Sequence, residues 1–232
     1  MNIVITGSDG FIGSKLLKKI TSFNSHNVTG LDVKDIDLAN KDQVLSCPEI
    51  KSADVIIVCH AINPTFNKSK ISNSPFHSED EESIMNQFKV NTLSLWYLCE
   101  ALILSKEKKN ISLPKLLFLS SVFAKRSPKH RLYEPKHKTP WYGATKCASD
   151  YLIKYLAAKY YGKVVLNSIF LGGIYSGRES DEFRKKYGIN SPFNDMQNAE
   201  EMVNYISDIA LLDSGSVASG SDYCADGGWL LW

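Results

Sequence analysis

The chain contains no apolar run near the roughly 18 residues that a membrane span requires. It has five cysteines and no CxxC pair, which removes the spacing expected of a zinc site or a thioredoxin-type redox centre. Cys59, Cys99 and Cys147 sit in apolar surroundings and read as reduced, buried thiols of a cytoplasmic protein. An excess of charge of one sign is also missing. The 27 Lys and Arg stand against 25 Asp and Glu, a net of +2, which argues against a nucleic-acid partner. The strand-like Asn2-Ile3-Val4-Ile5-Thr6 begins at once, leaving no space for a charged and apolar leader and pointing away from secretion. Repeats and low-complexity linkers are absent too. What remains is a balanced chain of 232 residues, 44% hydrophobic, expected to form a single globular domain over 1–232.

Short apolar runs at 3–6, 28–31, 55–59, 116–120 and 164–170 read as strands, with a shorter piece near Tyr223-Cys224. The first five lack polar alternation, the pattern of strands covered on both faces. Helical stripes lie between them: Phe11, Ile12, Leu16, Leu17 and Ile20 form one, and residues 88–102, 142–160 and 199–212 form others. Alternation of this kind predicts an α/β fold, a parallel sheet between layers of helices joined by right-handed crossovers. Three polar connections, 63–80, 121–140 and 175–198, break the pattern and are expected to be irregular. Each follows a strand, at the carboxyl edge where open sheets bind ligands.

Gly7, Gly10 and Gly13 in Thr6-Gly7-Ser8-Asp9-Gly10-Phe11-Ile12-Gly13 follow the first strand and open the first helix. Gly7 permits the turn, Gly10 lets backbone approach a pyrophosphate, and Gly13 lets helix pack on strand. Amides at the start of that helix then favour phosphates, so Ser8, Asp9, Phe11 and Ile12 join the glycines as candidate cofactor contacts. Asp32 ends the second strand about twenty residues past the last glycine, where a carboxylate accepts both hydroxyls of an adenosine ribose. It would repel a 2′-phosphate, so NAD is expected over NADP, with Lys34 opposing that preference. Asp37-Leu38 is either a solvated loop or a contact to the adenine, Asp37 accepting from its amino group.

Tyr142 and Lys146 lie four residues apart on a helix that Thr139 can cap, with Pro140 at its first position. They therefore share a face. A phenol with a pKa of about 10 is a poor acid or base at neutral pH, and a nearby ammonium is expected to draw it down. Such a pair suits hydroxyl–carbonyl interconversion. Ser120-Ser121 ends the fourth strand run, where a hydroxyl meets the ligand crevice, and Asn91 begins the helix before it.

The loop, the strand-end serine and the Tyr/Lys pair, in that order, resemble the short-chain dehydrogenase/reductase family over residues 6–229. The resemblance implies a doubly wound, mostly parallel Rossmann sheet of about seven strands with helices on both faces. It also implies a catalytic tetrad. Tyr142 exchanges the proton, Ser121 hydrogen-bonds the substrate oxygen, Lys146 binds the nicotinamide ribose, and Asn91 holds a water in the relay. Ala61 borders the cofactor. In Leu166-Asn167-Ser168-Ile169-Phe170-Leu171-Gly172-Gly173-Ile174, Gly172 and the Ile174 backbone would hold the nicotinamide, although position 171 is usually proline in the family. The Asp226-Gly227-Gly228-Trp229 ending resembles the family's C-terminal signature. Association through the two long middle helices is implied as well. Leu93, Trp96 and Tyr97 on one, with Ala148, Tyr151, Leu152 and Tyr155 on the other, suit a homodimer or homotetramer.

Departures from type are informative. The GxxGxxG spacing resembles the extended branch of epimerases and dehydratases, yet only about ninety residues follow Tyr142, too few for that branch's substrate domain. Val122-Phe123 stands where dehydratases carry an acidic pair, and Cys59-His60-Ala61-Ile62 stands where the short branch has Asn-Asn-Ala-Gly; His60 reads as structural. Ala61-Ile62-Asn63-Pro64, Tyr133-Glu134-Pro135 and the stretch 183–192 resemble bacterial oxidoreductases of surface-sugar and flagellin modification. Lys125, Arg126, Lys129, His130, Arg131, Lys136, His137 and Lys138 crowd the connection between Ser121 and Tyr142 against the single acid Glu134. Either they solubilise a loop or they attract an anionic sugar derivative. Ser121, Phe123, Arg126, Arg131 and Arg178 are the expected substrate contacts, Arg184 a further candidate, and no metal is called for. The leading expectation is hydride transfer between NAD and a secondary alcohol or ketone. An epimerase or dehydratase retaining its NAD, and a catalytically silent dinucleotide-binding regulator, are the competing ones.

Overall fold

A computed structural model describes residues 1–66, 79–105, 113–134, 137–213 and 215–231. Elements run β1 (Asn2–Thr6), α1 (Phe11–Thr21), β2 (Asn27–Leu31), α2 (Lys41–Ser46), α3 (Pro48–Ser52), β3 (Val55–Val58) and β4 (Thr65–Phe66). They continue with α4 (Glu81–Phe88), a π-helical turn (Lys89–Leu93), α5 (Ser94–Leu104), β5 (Lys115–Ser121), α6 (His130–Tyr133) and β6 (His137–Lys138). The last are α7 (Pro140–Lys159), β7 (Val165–Leu171), α8 (Asp181–Ile189), α9 (Ala199–Leu211) and β8 (Asp222–Ala225).

Six parallel strands form the sheet in the order β2-β1-β3-β5-β7-β8. From β1 the chain steps outward to β2 and then returns past β1 to β3, so the winding reverses between β1 and β3. Their carboxyl ends, Thr6 and Val58, therefore flank the crevice where such sheets bind ligands. The expected count of about seven strands falls to six because residues 32–54 fold into α2 and α3 and return directly to the sheet. Asn40 caps α2 and Pro48 opens α3, and neither helix leaves an extended run to lie beside β2. β2 is consequently an edge. The run 28–31, expected to be covered on both faces, is half-exposed along most of its length.

Alternation along the inner strands divides the core in two. Val4, Ile56, Phe118 and Leu166 face α2, α3, α5 and α7, while Ile3, Ile5, Ile57, Leu117 and Ile169 face α1 and α9. A third cluster of Val122, Leu132, Tyr187, Met196 and Trp229 lies beyond the carboxyl ends of the strands. It comes largely from stretches expected to be irregular. Residues 181–189 are in fact α8, capped by the Ser180 hydroxyl on the Phe183 amide and started by Asp181 and Glu182. Residues 67–78 of the first irregular stretch lie outside the described residues, as do Pro135 and Lys136. Among the cysteines all five are free; Cys99 is fully buried in α5, whereas Cys147 is exposed because α7 turns that position away from the sheet.

The α5 face holds the largest core cluster together. Leu98→Ala, at a position with no solvent exposure, is expected to cost about 2–5 kcal/mol of stability, read by chemical denaturation; a loss under about 1 kcal/mol would contradict this packing.

Candidate active site

The glycine loop is tight enough to hold a phosphate group and too tight for side chains. Gly7 has φ +68°, and a Cβ there would sit 2.7 Å from the His60 backbone; at Gly13 it would sit 2.1 Å from the Gly7 carbonyl. The Gly7 and Ser8 amides donate to the Leu31 carbonyl at 2.8 and 3.3 Å, tying the loop to the end of β2. Gly10 caps α1 without a side chain, and among the described residues no capping side chain bonds the amides of its first turn. Asp32 accepts from the Asp9 amide through one oxygen and from the Val33 amide through the other, both at 2.8 Å. Asp9 in turn pairs with Lys34 at 2.6 Å. A backbone cradle closed by a carboxylate fits an adenosine diphosphate. Asp37 accepts from the Ala39 amide at 2.9 Å, and Leu38 is turned into the core among α2 and α3.

β5 and β7 run in register, with Ser121 opposite Leu171. The Ser121 oxygen accepts from the Phe123 amide at 3.2 Å, and its neighbour Ser120 has a buried hydroxyl with no hydrogen-bond partner among the described residues. Thr139 caps α7 on the Trp141 amide with Pro140 at the first position, as the sequence indicates. From that helix Tyr142 reaches the Ser121 hydroxyl, and Lys146 lines the same cavity. Lys146 is 2% exposed, donates to the Leu119 carbonyl at 2.6 Å, and lies 4.4 Å from the Phe118 ring centroid and 5.8 Å from that of Tyr142.

These surroundings correct one expectation. Lys146 does not draw the phenol down: burial pushes Tyr142 up to about 12, with only the Ser121 hydrogen bond opposing it. Burial likewise pushes Lys146 down to about 7. For each group, lost hydration of its own charged form outweighs what opposes it, the Ser121 hydrogen bond for the phenol and the nearby Cys59 for the ammonium.

Asn91 sits in the π-helical turn and spends its amide on protein. It accepts from the Ile62 amide at 2.7 Å and donates to the Ile62 carbonyl and the Thr145 hydroxyl, each at 3.0 Å. It thereby clamps the connection after β3 to α7. His60 is held between the Thr6 and Ser94 hydroxyls, both at 2.7 Å. Ser94 donates to the Val90 carbonyl, so it accepts from His60 Nε2–H, and Nδ1 accepts from Thr6. Burial lowers this imidazole to about 4, consistent with the neutral, structural role read from its sequence.

A cavity of about 910 Å³ lies over the carboxyl ends of β5 and β7 and reaches α1 at Ile12. Ile12, Ala61, Ser121, Phe123, Tyr142, Lys146, Gly172, Ile174 and Arg178, all singled out by sequence, line it. Gly7, Ser8, Asp9, Gly10, Phe11, Gly13, Asp32, Asp37, Leu38, Asn91, Arg126 and Arg131 are not among its walls, and Arg126 and Arg131 are exposed on the connection outside it. Their neighbours are committed elsewhere: Lys125 bridges Asp150 and Asp222, and Lys129 donates to the Asn190 carbonyl beside the Trp229 ring. Arg184 forks onto Asp195 and stacks on Tyr175 instead of facing the cavity. Sequence reasoning did not assign the far wall, built by Leu132, Tyr133, Phe183, Tyr187 and Trp229. The four-residue spacing of Phe183 and Tyr187 was its available signal. Among the described residues, no group of His, Cys, Asp and Glu is arranged to hold a metal, and no helix is long and apolar enough to cross a membrane.

The buried lysine has a measurable consequence. Between about pH 7 and the usual lysine value of 10.5 the unfolded chain carries a proton here that the folded chain has released. Stability attributable to this site therefore rises with pH across that window. The melting temperature of wild-type protein is expected to climb relative to Lys146→Met over this range; parallel curves would contradict the burial of the ammonium.

A family model for the NAD dependent epimerase/dehydratase family matches residues 3–186. A dTDP-4-dehydrorhamnose reductase from Aggregatibacter actinomycetemcomitans is 24% identical over 176 residues, 75% of this chain and 52% of that protein. The chain thus spans about half the length of this curated relative. Among solved structures, a short chain dehydrogenase from Leptospira borgpetersenii with bound NAD+ aligns with TM-score 0.80 and 23% identity over 98% of this chain and 91% of its own. An aldohexose dehydrogenase from Thermoplasma acidophilum aligns with TM-score 0.76 and 18% identity over 100% and 94%. A gluconate 5-dehydrogenase from Burkholderia cenocepacia, in complex with NADP and tartrate, gives 0.75 and 15% over 99% and 95%. These likenesses establish a shared fold, and by the match over 3–186 the chain belongs to the NAD dependent epimerase/dehydratase family.

Proposed function

We propose that this protein is an NAD-dependent oxidoreductase that interconverts a secondary alcohol and a ketone on a sugar or a nucleotide-linked sugar. The observation that carries the reading is the meeting of Ser121, Tyr142 and Lys146, from two separate elements, on the wall of a cavity that begins at α1. A nicotinamide dinucleotide, when bound, supplies the hydride donor or acceptor. Residues 7–13 and Asp32 hold its adenosine diphosphate, and Gly172 and Ile174 border its nicotinamide end. Ser121 donates a hydrogen bond to the substrate oxygen. Tyr142 gives that oxygen its proton during reduction and removes it during oxidation. Lys146, part-way through its titration at neutral pH, takes up or releases the balancing proton. Asn91 keeps the Ile62 backbone and α7 at a fixed separation, its amide committed to Ile62 and Thr145 and not to a water of a proton relay.

The preference for NAD over NADP is supported by Asp32 at the end of β2, whose carboxylate would accept ribose hydroxyls and repel a 2′-phosphate, and by the pairing of the nearby Lys34 with Asp9. The sugar reading draws on the relative's name and on the aromatic far wall, where the half-buried Tyr133 and Phe183 offer apolar surface to a sugar ring. Arg178, with no carboxylate partner among the described residues, suits an anionic group on the substrate. Free cysteines throughout support a cytoplasmic setting. Exposed Leu93, Tyr151 and Tyr155 support association as a homodimer or homotetramer.

Purified protein incubated with NAD+ or NADP+ and a panel of sugars, polyols and nucleotide-linked sugars should reduce NAD+ preferentially, followed by absorbance of the reduced nicotinamide. Tyr142→Phe should lower turnover by about 10²- to 10⁴-fold with NADH binding intact; near-normal turnover would overturn the mechanism. The glycine spacing and the family match favour a second reading, an epimerase or dehydratase that keeps its NAD. Substrate conversion without accumulation of NADH would decide for it.

A further inference from the structure

The backbone that leaves β7 at Leu171 and passes along the cavity as Gly172-Gly173-Ile174 has little stiffness of its own. Two consecutive glycines carry the full freedom of an unsubstituted backbone, and Leu171 does not fix φ as a proline would. Yet this segment starts directly opposite Ser121, so whatever ring faces the catalytic hydroxyls must lie against it. The hydrogen bonds that fix it come from outside. Gly172 donates to the Ala225 carbonyl at 3.1 Å, Gly173 accepts from the Gln197 amide at 2.8 Å, and Tyr175 donates to the Gln197 carbonyl at 2.9 Å. The fourth uses a side chain: the Gly173 amide donates to the Tyr187 hydroxyl oxygen at 2.6 Å.

Tyr187 is placed for this with unusual completeness. It is 3% exposed, and its ring stacks on Trp229 at 4.6 Å with an interplanar angle of 19°. Gly173 lies flat against it, since a Cβ at that position would come within 2.6 Å of the tyrosine ring. The same helix, α8, sends Phe183 and Lys186 into the cavity.

We propose that Tyr187 is a positioning residue for the nicotinamide end of the cofactor. Its hydroxyl, held by the Trp229 stack, sets the Gly172–Ile174 backbone against which the ring lies. The inference rests on the reading that a nicotinamide dinucleotide is the cofactor. A hydrogen bond from outside the segment does here what a proline inside it would do by covalent geometry. Packing in the third core needs only the ring, which phenylalanine also has; positioning needs the oxygen.

Tyr187→Phe separates the two. NADH binding, read by nicotinamide fluorescence, is expected to weaken about three- to tenfold with a smaller fluorescence enhancement. ADP-ribose, the same ligand without nicotinamide, should bind the variant with unchanged affinity by calorimetry. Gly173→Ala, which pushes on the tyrosine from the opposite side, should show the same selective loss. Equal affinities of wild type and both variants for NADH, or parallel losses for NADH and ADP-ribose, would reduce Tyr187 to a core residue and overturn the proposal. Wild-type protein that binds neither compound would instead overturn the cofactor reading, and the proposal with it.

Discussion

The hydrogen bond from the Lys146 ammonium to the Leu119 carbonyl joins α7 to the last turn of β5, and the chemistry of the cavity depends on that junction. An ammonium with 2% exposure is costly to bury without a partner. The helix therefore cannot slide along the sheet without stranding it. The contact between the π-helical turn and α7 is polar in the same way. Thr92 donates to the Thr145 carbonyl at 3.1 Å, Ser149 donates to the Asn91 carbonyl at 3.0 Å, and Asn91 donates to the Thr145 hydroxyl. Directional bonds of this kind fix a helix in rotation and register more narrowly than apolar packing does. The π-helical turn belongs to this arrangement, because its extra residue presents Asn91 to both Ile62 and α7.

A second constraint closes the cavity from the far side. Trp229 follows the turn at Gly227 and Gly228, both at positive φ. Asp226 fixes that turn by accepting from the Gly228 and Leu230 amides. The tail so placed stacks on Tyr187, Phe183 neighbours Tyr187, and Tyr133 neighbours Phe183, with ring centroids 6.4 and 5.8 Å apart in the last two pairs. The tail and the far wall of the cavity are thus packed as one aromatic cluster. Charge is distributed along the same lines. Lys125 and Lys154 are neutralised by Asp150 and Asp222 away from the cavity, while Arg178 comes over the Phe11 ring at the start of α1.

Much of this was legible in the chain. The glycine loop, Asp32, the cap at Thr139 and the Tyr142/Lys146 spacing are local relations, set within a turn or two of backbone by torsional preference and helical period. The strand positions were legible because their apolar runs are uninterrupted. Where the reading failed, a longer-range quantity was involved. Charge counts made Arg126 and Arg131 substrate contacts, but direction of approach, not count, decides which cations reach a cavity. Segment 175–198 looked irregular because α8 buries its aromatics against the tail, a partner more than thirty residues distant. β2 looked fully covered because composition carries no sign of which strand lies at an edge.

The sequence by itself determined the α/β architecture, the glycine turn between β1 and α1 and the shared helix of Tyr142 and Lys146, since each follows from local period and torsional preference. Tertiary structure alone decided the six-stranded count, the far wall, the fate of the basic residues and the opposed titrations of Tyr142 and Lys146. Those depend on which surfaces are taken out of water together, and desolvation is a property of the assembled fold.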